Sequence, residues 1–412
     1  MKILIITQYF YPETFRVNTL CTELVKRGHK VTVLTGYPQY PQGKIYEGYG
    51  FNKPYETEWN GVEIHRIKMR PRGRTPLGLL LNCYTFVSEG KKWVKRCNEK
   101  FDAVYVFEVS PVTVGLPAVS YKEKFGTPIY FNVQDLWPEN VEIVLGIHNK
   151  LIIGTINKIV NKIYSASDKI LCSSNSFVDN IAARGVNRNK LVFWPQFCTT
   201  PDFADVTKPS CYSDGHFNIV FTGNIGEAQE LDLLVDTALR LKETNVRWFL
   251  VGDGRARERL EKKVIANNLE GIITFIGKVS EQEANRYIHF ADCAYLSFKK
   301  NKLFDMTLPA KLQSYMACGT PIIAAAGGES ANVIKEADCG FVCEQDAHKL
   351  ADLIRTEVLS CDSLDLMSEN ANRYFHNNFT TELVIDELEK LMNVQENRST
   401  QMEYKVNEGI TY

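Results

Sequence analysis

The stretch FNIVFTGNIGEAQELDLLVDTALRLKETNVRWFLVGDG, residues 217–254, decides the architecture. Phe217–Thr222 is a short apolar run of the kind buried in a parallel sheet, Glu230–Glu243 carries helical spacing, and Arg247–Gly252 is a second strand. A helical crossover between two such strands implies a βαβ unit. Downstream the alternation continues through Ala256–Asn268, Ile272–Gly277, Ser280–Ala291, Cys293–Ser297, Leu308–Ala317 and Pro321–Ala324. Upstream lies an independent series: Lys2–Thr7, a helix on which Val17, Leu20, Cys21 and Leu24 share one face and which stops at Gly28, then Val31–Leu34. It runs on through Ala103–Phe107, Pro111–Phe125, Pro128–Asn132, Ile152–Ser167, Lys169–Cys172, Ser174–Gly185 and Leu191–Trp194. Between the series the periodicity lapses into Pro, Thr, Ser, Asp and Gly, a linker at 196–216. The expectation is an α/β chain of two Rossmann-like, doubly wound domains, 1–195 and 217–380, facing across a cleft that holds the ligands. A helix at Thr381–Met392 and a polar, poorly ordered tail to residue 412 complete it.

Composition excludes several classes. With 44% hydrophobic and 24% charged residues the 412-residue chain is globular, neither disordered nor fibrous. The net charge of −1 hides an asymmetry: residues 1–200 carry 26 Lys and Arg against 16 Asp and Glu, the remainder 22 against 33. Two domains with different partners follow from that. The eleven cysteines include no C-x-x-C, so reduced thiols in a cytoplasmic protein are expected. The apolar start, Ile3 to Ile6, is too short for a signal peptide, and no run approaches a membrane span.

Three loops of the second half follow strands or open helices. These are Gly223-Asn224-Ile225-Gly226, Gly252-Asp253-Gly254-Arg255, and Asp305 to Lys311, where Pro309 suits a first helical turn. Glycine admits close backbone approach, a helix N-terminus offers free N–H groups, and a lysine one turn in adds a point charge. Each loop alone is equally well a tight turn, but three in one domain point to a nucleoside diphosphate. Neither G-x-G-x-x-G nor a P-loop follows a strand, so NAD and ATP pockets have no support. In the first half, Glu13, Arg16 and Asn18 follow the first strand, Glu108 follows Phe107, and Asp135, Trp137 and Glu139 follow Asn132. Such positions line a cleft or merely cap helices and fill core, and both readings stand. The seven histidines form no metal-ligand spacing, and no D-x-D is present. Arg66, Lys68, Arg70, Arg72 and Arg74, then Lys91, Lys92, Lys95 and Arg96, flank Leu77–Leu81. That pairing suits an anionic lipid surface, and no nucleic-acid reading motif accompanies it.

The motifs TQYFYPETFRVN (7–18), RGHKVTVLTGYPQYPQGK (27–44), EVSPVTVGLPA (108–118), QDLWPENV (134–141), GNIGEAQEL (223–231), GDGRARERL (252–260) and LPAKLQSYMACGTPII (308–323) resemble retaining glycosyltransferases of family 4, with the GT-B fold. More closely they resemble bacterial L-fucosaminyltransferases of O-antigen, capsule and colanic-acid assembly. The resemblance implies transfer, without metal or other cofactor, from a UDP-sugar, an N-acetylated amino or deoxyamino hexose such as L-FucNAc. The acceptor it implies is a polyprenyl-diphosphate-linked saccharide at the inner face of the cytoplasmic membrane. Donor contacts are expected from Gly223, Asn224, Gly226, Gln229, Gly252, Gly254, Lys278, Val279, Thr307, Leu308 and Ser314. Acceptor contacts are expected from Glu13, Arg16, Asn18, Glu108, Trp137 and Glu139. Catalytic roles fall to Asp135, Lys311 and Arg255. The chain departs from the family where two glutamates usually precede the Ala-Cys-Gly-Thr-Pro turn: Met306 and Ser314 stand there. The usual Arg and Lys of the first C-terminal loop are missing, and Asp135 stands in for an N-terminal histidine. A nucleotide-sugar epimerase of the same architecture and a catalytically silent nucleotide-sugar-binding homologue are the competing readings.

Overall fold

The computed structural model describes residues 1–393 except 54, 74, 145, 213 and 214, so the expected tail and Arg74 lie outside the described residues. The chain divides into two compact units: residues 1–194 together with the chain from Ile385, and residues 195–384. The segment 196–216 expected as a linker is therefore part of the second unit. The closing helix, residues 381–393, passes into the first instead of standing apart.

The first unit is built on strands β1 (Lys2–Ile6), β2 (Lys30–Thr35), β3 (Glu58–Trp59), β4 (Val62–Arg66), β5 (Ala103–Glu108), β6 (Ile129–Val133), β7 (Lys169–Cys172) and β8 (Leu191–Phe193). Their order is β3-β4-β2-β1-β5-β6-β7-β8, parallel throughout except for the antiparallel edge pair β3–β4. The first crossovers run outward one way from β1 and the later ones the other way, so the topological switch point lies between β1 and β5. Ile3 to Ile6 are wholly buried, as a strand covered on both faces requires. The helices are α1 (Arg16–Lys26), α2 (Pro76–Arg96), α3 (Leu116–Phe125), α4 (Glu139–Val144), α5 (Lys150–Ala166) and α6 (Asn175–Ala183). Helix α1 buries Val17, Leu20, Cys21 and Leu24, the face its spacing predicts. The expected helix at Pro111–Phe125 is split: Val112–Gly115 forms a 3₁₀ turn before α3 begins. Helix α2 and the β3–β4 pair had no counterpart in the sequence reading. Thr75 caps α2 by accepting from the Gly78 N–H, with Pro76 at its first position.

In the second unit, β9 (Phe217–Thr222), β10 (Val246–Val251), β11 (Ile273–Gly277), β12 (Cys293–Ser297), β13 (Ile322–Ala325) and β14 (Gly340–Cys343) form one parallel sheet. Its order, β11-β10-β9-β12-β13-β14, puts the switch point between β9 and β12. Helices α7 (Leu231–Arg240), α8 (Arg257–Ala266), α9 (Glu281–His289), α10 (Lys302–Asp305), α11 (Ala310–Ala317), α12 (Gly328–Ala337), α13 (Ala347–Leu353) and α14 (Leu364–Asn378) accompany it. Ile219, Phe221, Leu234, Trp248, Leu250, Leu260 and Tyr295 belong to one buried cluster of this unit.

Candidate active site

In the second unit the loops after β9, β10 and β11 are joined backbone to backbone. The Gly223 N–H donates to Val251 O (2.9 Å), the Ile225 N–H to Asp253 O (2.9 Å), and the Gly252 N–H to Gly277 O (2.8 Å). The glycines are what this packing needs. Gly252 has φ +140°, and a Cβ on it would collide with the Gly223 carbonyl oxygen; one on Gly254 would collide with Ile225 O. Gly226 is crowded by the Asn224 amide. Glycine 252 and glycine 254 thus have a structural role that the motif reading did not separate from ligand contact.

Lys311, on the first turn of α11, sits at this edge. Its ammonium lies 4.1 Å from the Phe221 ring centroid at the end of β9 and 5.8 Å from that of Phe298, just past β12. It donates a hydrogen bond to Gln229 Oε1. A Cβ on Gly223 would stand 3.9 Å from Lys311 Nζ, so the ammonium is beside the first glycine loop. Among the described residues no carboxylate pairs with it. Burial alone acts on its acidity and pushes the ammonium down to about 7. Gln229 is itself held, because its carbonyl accepts from Ser297 Oγ (2.6 Å). No side chain caps the N-terminus of α11, which Pro309 precedes instead of opening. A buried lysine over two rings, beside the uncapped start of α11 at a switch point, offers the positive charge and N–H donors that an anion needs.

The other residues expected there fare differently. Arg255 is exposed and makes no ion pair among the described residues, and Lys278 is exposed while Val279 is half-buried. The hydroxyl of Ser314 turns back onto Ala310 O (3.2 Å), and that of Thr307 onto Leu303 O (2.8 Å), so both are occupied by their own helical turns. Leu308 is buried. Phe221 and Phe298 were missed. Each reads as ordinary strand core, and only the pairing of β9 with β12 brings them to one lysine.

In the first unit the carboxyl ends of β5 and β6 hold two acidic side chains, a buried Glu108 and a half-buried Asp135. Glu108 Oε2 accepts from the N–H groups of Gln134 and Asp135 (both 3.2 Å), and Asp135 Oδ2 accepts from Ser110 Oγ (2.6 Å) and Ser110 N (3.1 Å). Glu108 is wholly buried. Desolvation, with Asp135 beside it, pushes its carboxyl well above the usual range, against the opposing backbone bonds from Asp135 and Gln134. Asp135 is also raised by burial, opposed by Ser110 and by the positive charge of Arg72. Neither capping nor core filling describes Asp135.

Glu13 does not line a site. It is buried, and takes the N–H groups of Gln39 (2.7 Å) and Tyr40 (2.6 Å) on Oε1 and that of Phe10 (3.3 Å) on Oε2. Asn18 is inside α1 and donates to Glu13 O (2.7 Å); Arg16 is the half-buried first residue of α1. Glu139 is ion-paired with Arg184, which also donates to Trp137 O (2.6 Å), so those two residues anchor α4 to the chain after α6. The basic run is also divided. Arg66 is buried, donating to Gly36 O (3.0 Å), Tyr11 O and Glu56, whereas Arg72 is half-buried beside the Tyr9 hydroxyl. Lys68 and Arg70 remain exposed.

The chain matches two family models, "Glycosyltransferase Family 4" over residues 15–200 and "Glycosyl transferases group 1" over residues 216–358. It is 24% identical over 337 residues to a protein of Escherichia coli (strain K12) named as colanic acid biosynthesis glycosyl transferase WcaI, covering 77% of this chain and 82% of the relative. Among solved structures it resembles sucrose-phosphate synthase from Thermosynechococcus elongatus, with a TM-score of 0.75 at 17% identity over 96% of this chain and 99% of that one. It also resembles Anabaena HepE in complex with UDP, with a TM-score of 0.70 at 13% identity over 96% and 100%. The fold of both neighbours is that of two parallel-sheet α/β units. Family models over both units, a glycosyltransferase relative spanning most of the chain and this fold agree: the protein is a glycosyltransferase of GT-B fold, carrying a family 4 domain followed by a group 1 domain.

Proposed function

We propose that the second unit binds a UDP-sugar and that the sugar passes, with retention, to a polyprenyl-diphosphate-linked saccharide held by the first, in the assembly of a bacterial surface polysaccharide. The observation that carries this reading is the Lys311 ammonium, unpaired with any carboxylate among the described residues, against Phe221 and Phe298 at the switch point. The leaving nucleoside diphosphate gains negative charge as the glycosidic bond breaks, and a fixed cation with α11's N–H groups stabilises that charge where it develops. The acceptor oxygen bonds to the anomeric carbon on the face from which the diphosphate departs. The bonding pair leaves with the diphosphate, and the acceptor proton follows to its oxygen. Asp135, fixed by Ser110, orients the acceptor hydroxyl. An N-acetylated amino or deoxyamino hexose such as L-FucNAc is the proposed sugar, on the motif resemblance, and the complexes of HepE with UDP support the nucleotide. The reaction is proposed to need no metal.

The polyprenyl acceptor stays in the bilayer, so the enzyme comes to it. Among the described residues no helix is long and apolar enough to cross a membrane. On α2, Leu77, Leu80 and Tyr84 are 66%, 66% and 69% exposed, and helical spacing continues that face to the exposed Lys91 and Lys95. An apolar half followed by a basic half on one face suits the anionic inner leaflet, and we assign peripheral docking there.

The deciding assay incubates the enzyme with a panel of UDP-sugars, with and without a polyprenyl-diphosphate saccharide, with and without EDTA. Product with the donor's anomeric configuration, formed equally in EDTA, is expected. Epimer without acceptor, or no turnover, would replace this reading with the epimerase or the silent homologue.

A further inference from the structure

Three rings stand together on the loops that follow β1 and β2. Tyr9 and Phe15 stack at 5.1 Å with 17° between planes, and Tyr40 sets its ring at 63° and 60° to them, 5.7 and 5.2 Å away. Tyr9 is buried and Phe15 half-buried, while Tyr40 is 46% exposed. The outer ring is thus presented by two inner ones. Its backbone is fixed as well. Glu13 commits both oxygens to Phe10, Gln39 and Tyr40, tying the loop after β1 to the loop after β2. A carboxylate buried this completely is costly unless its bonds are made, so the position of Tyr40 is specified at some expense in stability. The polar surround lies on one side: the Tyr9 hydroxyl beside the Arg72 guanidinium, whose charge also reaches Asp135.

An exposed ring backed by two others, with a guanidinium beside the hydroxyl of one of the backing rings, matches a pyranose, which has an apolar C–H face and hydroxyls around its edge. We propose that Tyr40, backed by Tyr9 and Phe15, is the stacking platform for a hexose ring of the acceptor, with Arg72 beside it for the attached phosphate. Glu13 is the positioning residue of this platform. The inference rests on the reading of the first unit as the acceptor-binding one and adds to it the residues and the part of the acceptor they take.

The test uses the full chain and three variants, Tyr40→Ala, Tyr40→Trp and Glu13→Gln. Calorimetry measures binding of an N-acetylhexosaminyl diphosphate carrying a short isoprenyl chain, and of the same isoprenyl diphosphate without the sugar. The shift of melting temperature by UDP is followed in parallel. Tyr40→Ala is expected to weaken the sugar-bearing probe by about tenfold, and Tyr40→Trp to retain it. Glu13→Gln falls between, and the sugarless probe and the UDP shift stay at wild-type values in all three. Wild-type affinity of Tyr40→Ala for the sugar probe, no binding of that probe by the wild type, or an equal loss with the sugarless probe overturns the platform. Absence of a UDP shift in the wild type instead sinks the donor reading and leaves the platform result standing.

Discussion

Replacing Lys311 by Met tests the donor site most directly, because Met fills the space between Phe221 and Phe298 without a charge. In the free enzyme the ammonium titrates near 7, held there by burial with no charged neighbour to offset it. At pH 8 only about one-tenth of it is protonated. A bound diphosphate favours the charged form, so each UDP bound at pH 8 should take up to one proton. Affinity should then be greatest at or below pH 7 and fall by about tenfold per unit above it, until the raised titration point of the complex is passed. Calorimetry in buffers of different ionisation enthalpy reads the uptake as a slope, roughly half to one proton for the wild type and zero for Lys311→Met. Stability gives an independent sign. The unfolded chain binds a proton at this lysine up to its ordinary value and the folded chain only to about 7. Wild-type stability therefore rises with pH between those limits, and the variant should be the more stable near neutrality. With one preorganised cation gone, kcat/KM should drop on the order of a hundredfold or more. UDP binding at pH 8 without proton uptake, or with the same uptake in Lys311→Met, refutes the reasoning.

Gly252→Ala should cost on the order of 3 kcal/mol and abolish the UDP-induced shift, because its Cβ has no room beside Gly223 O. Gly126→Ala, at φ +72° with open space around it, should cost only about 1–2 kcal/mol and keep the shift in a thermal melt. For Glu108, Glu108→Gln keeps an oxygen for the Gln134 and Asp135 N–H groups and removes an acid whose charged form burial disfavours, so it should melt no lower than wild type at pH 7.5. Glu108→Ala should lose about 1–3 kcal/mol, as the Asp135 N–H loses its acceptor while the Gln134 N–H keeps the backbone carbonyl of residue 108, and a denaturant series separates the two. Vesicle sedimentation should show binding that needs anionic lipid and weakens in 1 M salt, where the Debye length is about 3 Å. Lys91→Ala with Lys95→Ala should weaken it about thirtyfold, at roughly 1 kcal/mol per lysine; equal binding to neutral vesicles would discard the α2 docking face.

The sequence by itself determined the two parallel sheets, the face of α1, the glycine loops after β9 and β10 and the place of Lys311 at the opening of a helix, because each depends on local period or on glycine and proline at fixed positions. Lys2–Ile6 and Phe217–Thr222 are recognisable strands wherever they end up, since burial on both faces demands a run of apolar residues, Ile3 to Ile6 and Ile219 to Phe221. Helix α2 escaped because its charged and apolar residues share one exposed face, which reads as a basic patch and not as an amphipathic period. What each polar side chain does was decided by tertiary structure alone. Glu13, Glu139 and Arg66 look like site residues in the linear chain, yet strand order brings each against backbone donors, acceptors or a counter-ion that consume its bonding capacity. Asp135 and Lys311 were left facing carboxyl ends of strands at or beside the switch points. Phe221, Phe298 and Tyr40 gained neighbours more than ten residues away in the chain. Local sequence specifies backbone conformation through short-range sterics and periodicity. Desolvation and pairing of a polar group depend on which distant strands become adjacent, and that information resides only in the folded topology.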